Sequence, residues 1–115
     1  QAFYQCKFHH IGTMIQKSAV GTNRSIRIWG AGKNGARLCR ILQDMGIPVD
    51  AFIDIDPRKI GMHRHGLPVL SMDWVDYAPQ RCFYICAVGN WGAREKLKSF
   101  FEKKKMLHGE DYVLL

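Results

Sequence analysis

The glycine run from Gly30 to Gly35, spelled Gly-Ala-Gly-Lys-Asn-Gly, constrains this chain more than any other feature because of what flanks it. Before it, Ser25 to Trp29 alternates polar and bulky residues and is rich in β-branched and aromatic side chains, which is a strand pattern. After it, Leu38, Leu42 and Met45 recur at i, i+4 and i+7, with Cys39 and Ile41 beside them, which is a helical stripe. Gly46 stands where a left-handed C-cap belongs, and Pro48 blocks continuation. Pro48 to Ile53 then reads as a second strand, ending at Asp54. Strand, helix and strand within about thirty residues make a right-handed crossover between parallel strands.

In that setting each glycine has a physical task. Gly30 allows the tight turn, Gly32 lets backbone approach a pyrophosphate, and Gly35 lets the helix lie close on the strand. The helix start offers unpaired N–H groups and the positive end of its dipole to an anion, with Lys33 and Asn34 as its first residues. Asp54 follows Gly35 by nineteen residues, where an acid accepts hydrogen bonds from ribose hydroxyls. A carboxylate there repels a 2′-phosphate, so NAD or a nucleoside diphosphate fits better than NADP. The blander alternative, a glycine turn without a ligand and a solvated strand-end acid, stays open at this stage.

The remainder repeats the theme. Residues 55–66 are polar and too irregular for a helix, and Leu67 to Leu70 reads as a short third strand. Ser71 is a candidate N-cap for a brief helix that Pro79 ends. Arg81 to Val88 is a nearly continuous apolar run, expected of a central strand buried on both faces. Gly89 and Asn90 then turn into a predicted helix over 91–107 that carries Leu97, Phe100 and Phe101 inward and is broken by Gly109; Asp111 to Leu115 is a last strand. This order predicts an α/β domain: a three-layer, Rossmann-like doubly wound parallel sheet of about five strands, with an added N-terminal helix. The boundary falls near residue 24, with a helix and linker over 1–24 and a nucleotide-binding domain over 25–115. Phe3, Ile11, Met14 and Ile15 supply the apolar face of that first helix. Ligands of such sheets bind beyond the carboxyl ends of the strands, which draws Gly89, Asn90, Trp91 and Arg94 toward the glycine turn, with Arg58 and Lys59 as candidate phosphate contacts.

Composition narrows the function. At 115 residues there is room for one domain, and the start at Gln1 rather than Met is expected of a segment of a longer chain. No run of about eighteen apolar residues is present to span a membrane, and no signal-peptide pattern opens the chain, which predicts a cytoplasmic protein. Cys6, Cys39, Cys82 and Cys86 lack C-x-x-C spacing and are expected to be reduced, packed thiols. The net charge of +7 favours anionic partners, although Lys96, Lys98, Lys103, Lys104 and Lys105 read as a solvated helix face. Nucleic acid is not expected, because Phe83, Tyr84, Phe100 and Phe101 fall on core positions. Neither His9 and His10 nor His63 and His65 have partners at metal-ligand spacing. Tyr77 is followed at four residues by Arg81, and Tyr84 by Val88, so no Tyr-x-x-x-Lys pair supplies a proton. No catalytic residue is assigned.

The segments Ile28 to Gly35, Ala51 to Gly61, His65 to Val69 and Ala87 to Arg94 resemble the Rossmann-like domain at the C-terminus of some bacterial family 2 glycosyltransferases. The opening from Phe3 to His10 is similar to the helix that links such a domain to its catalytic partner. A wider set with the same core includes sugar-binding domains of sugar acyltransferases and cofactor domains of nucleotide-sugar dehydratases. The resemblance implies a site for NAD or a nucleotide-sugar around Gly30, Gly32, Lys33, Asn34, Gly35, Asp54, Asp56, Gly89 and Asn90. Asp54 and Asp56 spell the Asp-x-Asp of a sugar-donor site, but they stand at a strand tip, where the ribose-binding acid belongs. The resulting expectation is a nucleotide- or NAD-binding accessory domain, not catalytic by itself, beside a glycosyltransferase catalytic domain N-terminal to it. The alternatives are a binding domain of a nucleotide-sugar oxidoreductase, dehydratase or acyltransferase, and a ligand-free docking module; a homodimer is possible under each.

Overall fold

The computed structural model describes residues 24–77 and 82–115. The helix predicted over 2–19, with Cys6, His9 and His10, lies outside the described residues, as does Pro79. The elements are β1 (Ser25–Trp29), α1 (Lys33–Asp44), β2 (Val49–Ile53), β3 (His63–Arg64), β4 (Leu67–Leu70), α2 (Trp74–Tyr77), β5 (Cys82–Cys86), α3 (Trp91–Lys103) and β6 (Tyr112–Leu114). They build one sheet in the order β3-β4-β2-β1-β5-β6, parallel except for β3. The order runs outward from β1 in both directions, so it reverses between β1 and β5, the switch point of a Rossmann-like sheet.

Period-two alternation sorts the core into two layers. Ile26 and Ile28 of β1, Phe52 of β2, Val69 of β4, Phe83 and Ile85 of β5 and Val113 of β6 pack with Leu38, Cys39 and Leu42 of α1. The residues between them, Trp29, Ile53, Cys82, Tyr84, Cys86 and Tyr112, pack on the opposite face with Leu97 and Phe101 of α3 and Val75 of α2. Every residue of β5 is buried, as its unbroken apolar run predicts. Phe101 stacks on Tyr112 with ring centroids 4.1 Å apart, which anchors α3 over the β5–β6 side of the sheet.

Three details depart from the sequence reading. The polar stretch 55–66 contains β3, an antiparallel strand of exposed residues that pairs His63 with Pro68 and Arg64 with Leu67, and so gives six strands. This short, charged hairpin covers the sheet edge that β4 would otherwise expose. The helix beginning at Trp91 ends at Lys103 rather than near 107. Its stop signal is Lys105, which takes a left-handed φ of +59° while Met106 N–H donates to Phe101 C=O and Lys105 N–H to Glu102 C=O. That is the same Schellman closure that Gly46 (φ +76°) makes for α1, where Ile47 N–H reaches Leu42 C=O and Gly46 N–H reaches Gln43 C=O. Gly109, also at positive φ, turns the chain into β6 instead. The third departure is at Ser71: its carbonyl accepts from Trp74 N–H, and α2 starts only at Trp74. No helix among the described residues is long and apolar enough to cross a membrane.

Candidate functional site

The glycine turn lies at the carboxyl end of β1, pressed between its two neighbours. Gly30 N–H donates to Ile53 C=O at 2.7 Å, and Ala87 N–H donates to Trp29 C=O at 2.9 Å. Gly30 has φ +111°, and a Cβ there would come within 3.0 Å of Ala87 O. Gly35 is under more severe constraint, because a Cβ on it would fall 1.7 Å from Gly30 O. The first turn of α1 therefore lies directly on the strand end, which only glycine permits. Gly32 differs from both: its Cβ would meet only Lys59 Nζ, 3.8 Å away. The turn is open toward solvent at that one residue.

Asp54, buried at the end of β2, fixes the turn from the other side. Its Oδ2 accepts from Ala31 N–H at 2.9 Å and its Oδ1 from Asp56 N–H at 2.9 Å, so one carboxylate ties the glycine turn to the loop after β2. Each oxygen keeps further lone-pair capacity, because an ionised carboxylate has about four acceptor positions. Asp56 in turn accepts from Arg58 N–H at 3.0 Å and from its guanidinium through Nε and Nη2, both at 3.2 Å. The guanidinium contact holds the Asp56 carboxyl below the usual carboxylate range.

Between β1, β5 and α3 these elements enclose a cavity of about 520 Å³, lined mostly by apolar groups. Its floor is Trp29, Gly30 and Gly32, its sides are Asp54, Ile55, Lys59 and Met72, and its far wall is Ala87 to Asn90. Helix α3 contributes Ala93, Lys96, Leu97 and Phe100, spaced three and four apart so that they share one face. The size suits a small organic ligand, and the switch point is where open α/β sheets bind one. Two helix starts meet there. Gly32, the N-cap residue of α1, provides no side-chain cap, and neither α1 nor α3 has an acid in its first turn. The free N–H groups of the α1 start and the dipoles of both helices leave positive potential at the cavity.

Of the residues singled out from the sequence, Gly30, Gly32, Asp54, Lys59, Gly89 and Asn90 come together around this cavity, and Arg58 does not. Gly35 lies beneath it as packing. Lys33 and Asn34 are exposed on α1 and do not line it, because the helix turns their side chains away once Gly32 has passed the strand end. Asp56 is also off the lining, engaged with Arg58. Asn90 reaches the cavity but caps α3, its Oδ1 accepting from Ala93 N–H at 3.1 Å. Trp91 and Arg94 do not line it. Lys96 does, although the lysine run reads as a solvated face. The signal was its place on the stripe 93, 96, 97, 100, which Leu97 and Phe100 already mark. Ile55, Met72 and Val88 carry no motif that would have marked them.

Burial pushes the thiols of Cys39, Cys82 and Cys86 up, which keeps them protonated packing groups and not nucleophiles. Among the described residues no three His, Cys, Asp or Glu side chains gather to hold a metal ion. Among the described residues, the ionisable groups lining the cavity are Asp54, Lys59 and Lys96.

The fold defines a Rossmann-like domain, with this cavity at its switch point. No protein-family model matches the chain, and no curated protein does. Among solved structures it is similar to UDP-D-quinovosamine 4-dehydrogenase from Vibrio fischeri, with TM-score 0.60 and 17% identity over 72% of this chain and 73% of that one. It is also similar to the Rex-family repressor RSP solved in complex with beta-NADH, with TM-score 0.57 and 16% identity over 92% of this chain and 59% of that one. The chain thus spans less than two thirds of the repressor. These are a dehydrogenase and a repressor rather than glycosyltransferases, so the resemblance drawn from the sequence holds at the level of the fold.

Proposed function

We propose that this domain binds NAD(H), or a closely related nucleotide, in the cavity between the glycine turn and α3, as a holding site within a larger protein. The observation that carries the reading is the cavity itself: the open glycine turn with the uncapped start of α1, the Asn90-capped start of α3 and the Asp54 carboxylate converge at the sheet's switch point. The similar repressor was solved with beta-NADH, which favours NAD(H) over a nucleotide-sugar. Among the described residues the lining has Asp54, Lys59 and Lys96 as its ionisable groups and no imidazole, phenol or thiol, a set suited to binding and orienting an anionic ligand. A parent protein of the dehydrogenase or Rex kind accords with the similar structures better than a glycosyltransferase does, and the adjoining domain that the first residues were expected to connect to belongs to this proposal as well.

The test is a thermal-shift and calorimetric titration of the domain with NAD, NADH, NADP and UDP-sugars. A ligand present at a hundredfold its dissociation constant adds about 2.7 kcal/mol of stability. NAD or NADH is expected to give the largest shift, with NADP weaker because its 2′-phosphate meets Asp54. No shift with any of them at millimolar concentration refutes the reading, and a shift with UDP-sugars alone replaces the cofactor.

A further inference from the structure

Resting on the nucleotide reading above, we infer that Lys59 is the phosphate-positioning residue of this site, and that it gives the cavity a preference for diphosphates over uncharged nucleosides. The sequence offers two adjacent cations after β2 and a third, Lys33, in the glycine turn, and nothing in their order separates them. The structure does. The carboxylate of Asp56 accepts from the backbone N–H of Arg58, while the carbonyl of Asp56 accepts from Lys59 N–H at 2.9 Å and Ile60 N–H at 3.2 Å. This tight turn points the Arg58 guanidinium outward and pairs it with Asp56. The next side chain faces the opposite way, and Lys59 Nζ stands over Gly32, 3.8 Å from where a Cβ would be. Lys33, exposed on the far side of the turn, is not among the cavity residues.

Lys59 has no ion-pair partner among the described residues, whereas Arg58 has one. Asp54, the carboxylate beside it, is directed at the N–H groups of Ala31 and Asp56. The ammonium therefore faces the open turn, with N–H donors of the α1 start below it and Lys96 across the cavity. An anion placed on Gly32 would meet donors from below and a charge from above, inside mostly apolar walls that weaken solvent screening. A compact ammonium suits a phosphate oxygen as a point charge. The absence of a Cβ at Gly32 keeps the interval between the helix start and the lysine open.

The test compares the wild-type domain with Lys59→Gln and Lys59→Arg by calorimetry, using ADP, adenosine and inorganic pyrophosphate as probes at two salt concentrations. Lys59→Gln is expected to weaken ADP and pyrophosphate about ten- to a hundredfold, the worth of one charge-assisted hydrogen bond, and to leave adenosine unchanged. It should also flatten the salt dependence of ADP binding, while Lys59→Arg restores most of the affinity. Equal losses for ADP and adenosine, or no loss for either, overturn the assignment. Nucleotide binding that ignores Lys59 overturns this inference and leaves the nucleotide reading standing. Pyrophosphate binding that depends on Lys59, without any nucleotide binding, does the reverse. A wild-type domain that binds neither ADP nor pyrophosphate overturns this inference, while the nucleotide reading is decided separately by the titration with NAD and NADH.

Discussion

Replacing Gly35 with alanine tests the central geometry of this fold, because a single methyl must be placed where a carbonyl already is. The added Cβ would lie 1.7 Å from Gly30 O and 2.9 Å from Gly30 C, with Ile28 Cγ2 at 3.5 Å behind it. Real contacts do not approach that closely, so α1 and the strand end must separate by more than an ångström. The displacement strains two bonds that hold the turn, Gly30 N–H to Ile53 C=O and Ala31 N–H to Asp54. Overpacking of this kind costs about 1–3 kcal/mol, and weakening a charge-assisted bond adds about 1–2 kcal/mol. Alanine's better helix propensity returns at most about 1 kcal/mol. The clash wins, for a net loss of about 3 kcal/mol out of a typical 5–15. At about 4 °C per kcal/mol for a domain of this size, the melting midpoint should fall by about 12 °C. Gly32→Ala is the control: its φ of −86° is ordinary and its nearest neighbour is 3.8 Å away. Its midpoint should stay within about 2 °C of wild type, since surface substitutions of this kind cost little, while nucleotide affinity falls because the methyl lies under Lys59. Both are read by thermal and urea denaturation. A Gly35→Ala midpoint close to that of Gly32→Ala would refute the close approach of helix and strand on which the cavity depends.

Removing the other support of the turn, by Asp54→Ala, strips two N–H groups of their carboxylate and should cost about 2–4 kcal/mol in urea unfolding; unchanged stability would mean that the turn holds itself. Lys105→Gly relieves a left-handed φ of +59° on a residue with a Cβ and should stabilise the domain by about 1 kcal/mol, whereas Gly46→Ala, at φ +76°, should lose a similar amount; opposite signs for the two in denaturant titrations are the check. The Asp56 carboxyl is held low by Arg58, so its contribution is complete above its unfolded pKa of about 3.9 and is lost as pH falls through the lower folded value. The stability difference between wild type and Asp56→Asn should therefore shrink between pH 6 and pH 3, and a difference that is constant with pH would show that the pair adds nothing.

Much of this domain was legible along the chain. The alternation of Ser25 to Trp29, the glycine spacing, the Leu38-Leu42-Met45 stripe and the Gly46 stop each rest on interactions between near neighbours, and they place β1, α1 and β2 where the structure has them. The unbroken apolar run of β5 announced a strand buried on both faces, and that places β5 in the sheet interior. Where local signals were weak the reading slipped. Residues 63 and 64 form a strand only because β4 offers them an edge, and α3 stops at Lys103 because Lys105 accepts a backbone angle that glycine would have advertised.

The candidate site divides along the same line. Sequence alone determined that a glycine turn, a strand-end acid and a second turn at Gly89 and Asn90 would meet at one edge of a parallel sheet, because topology leaves the carboxyl ends of parallel strands together. It did not determine which charges face the crevice. That was decided by tertiary structure: the Asp56 turn sends Arg58 outward and Lys59 over Gly32, and the packing of Leu97 and Phe101 against the sheet rotates Lys96 into the cavity. Side-chain direction depends on the rotation of a helix and the hand of a turn, which residue spacing leaves free and packing sets. The open glycine turn is thus a property of the sequence, and the lysine above it a property of the fold.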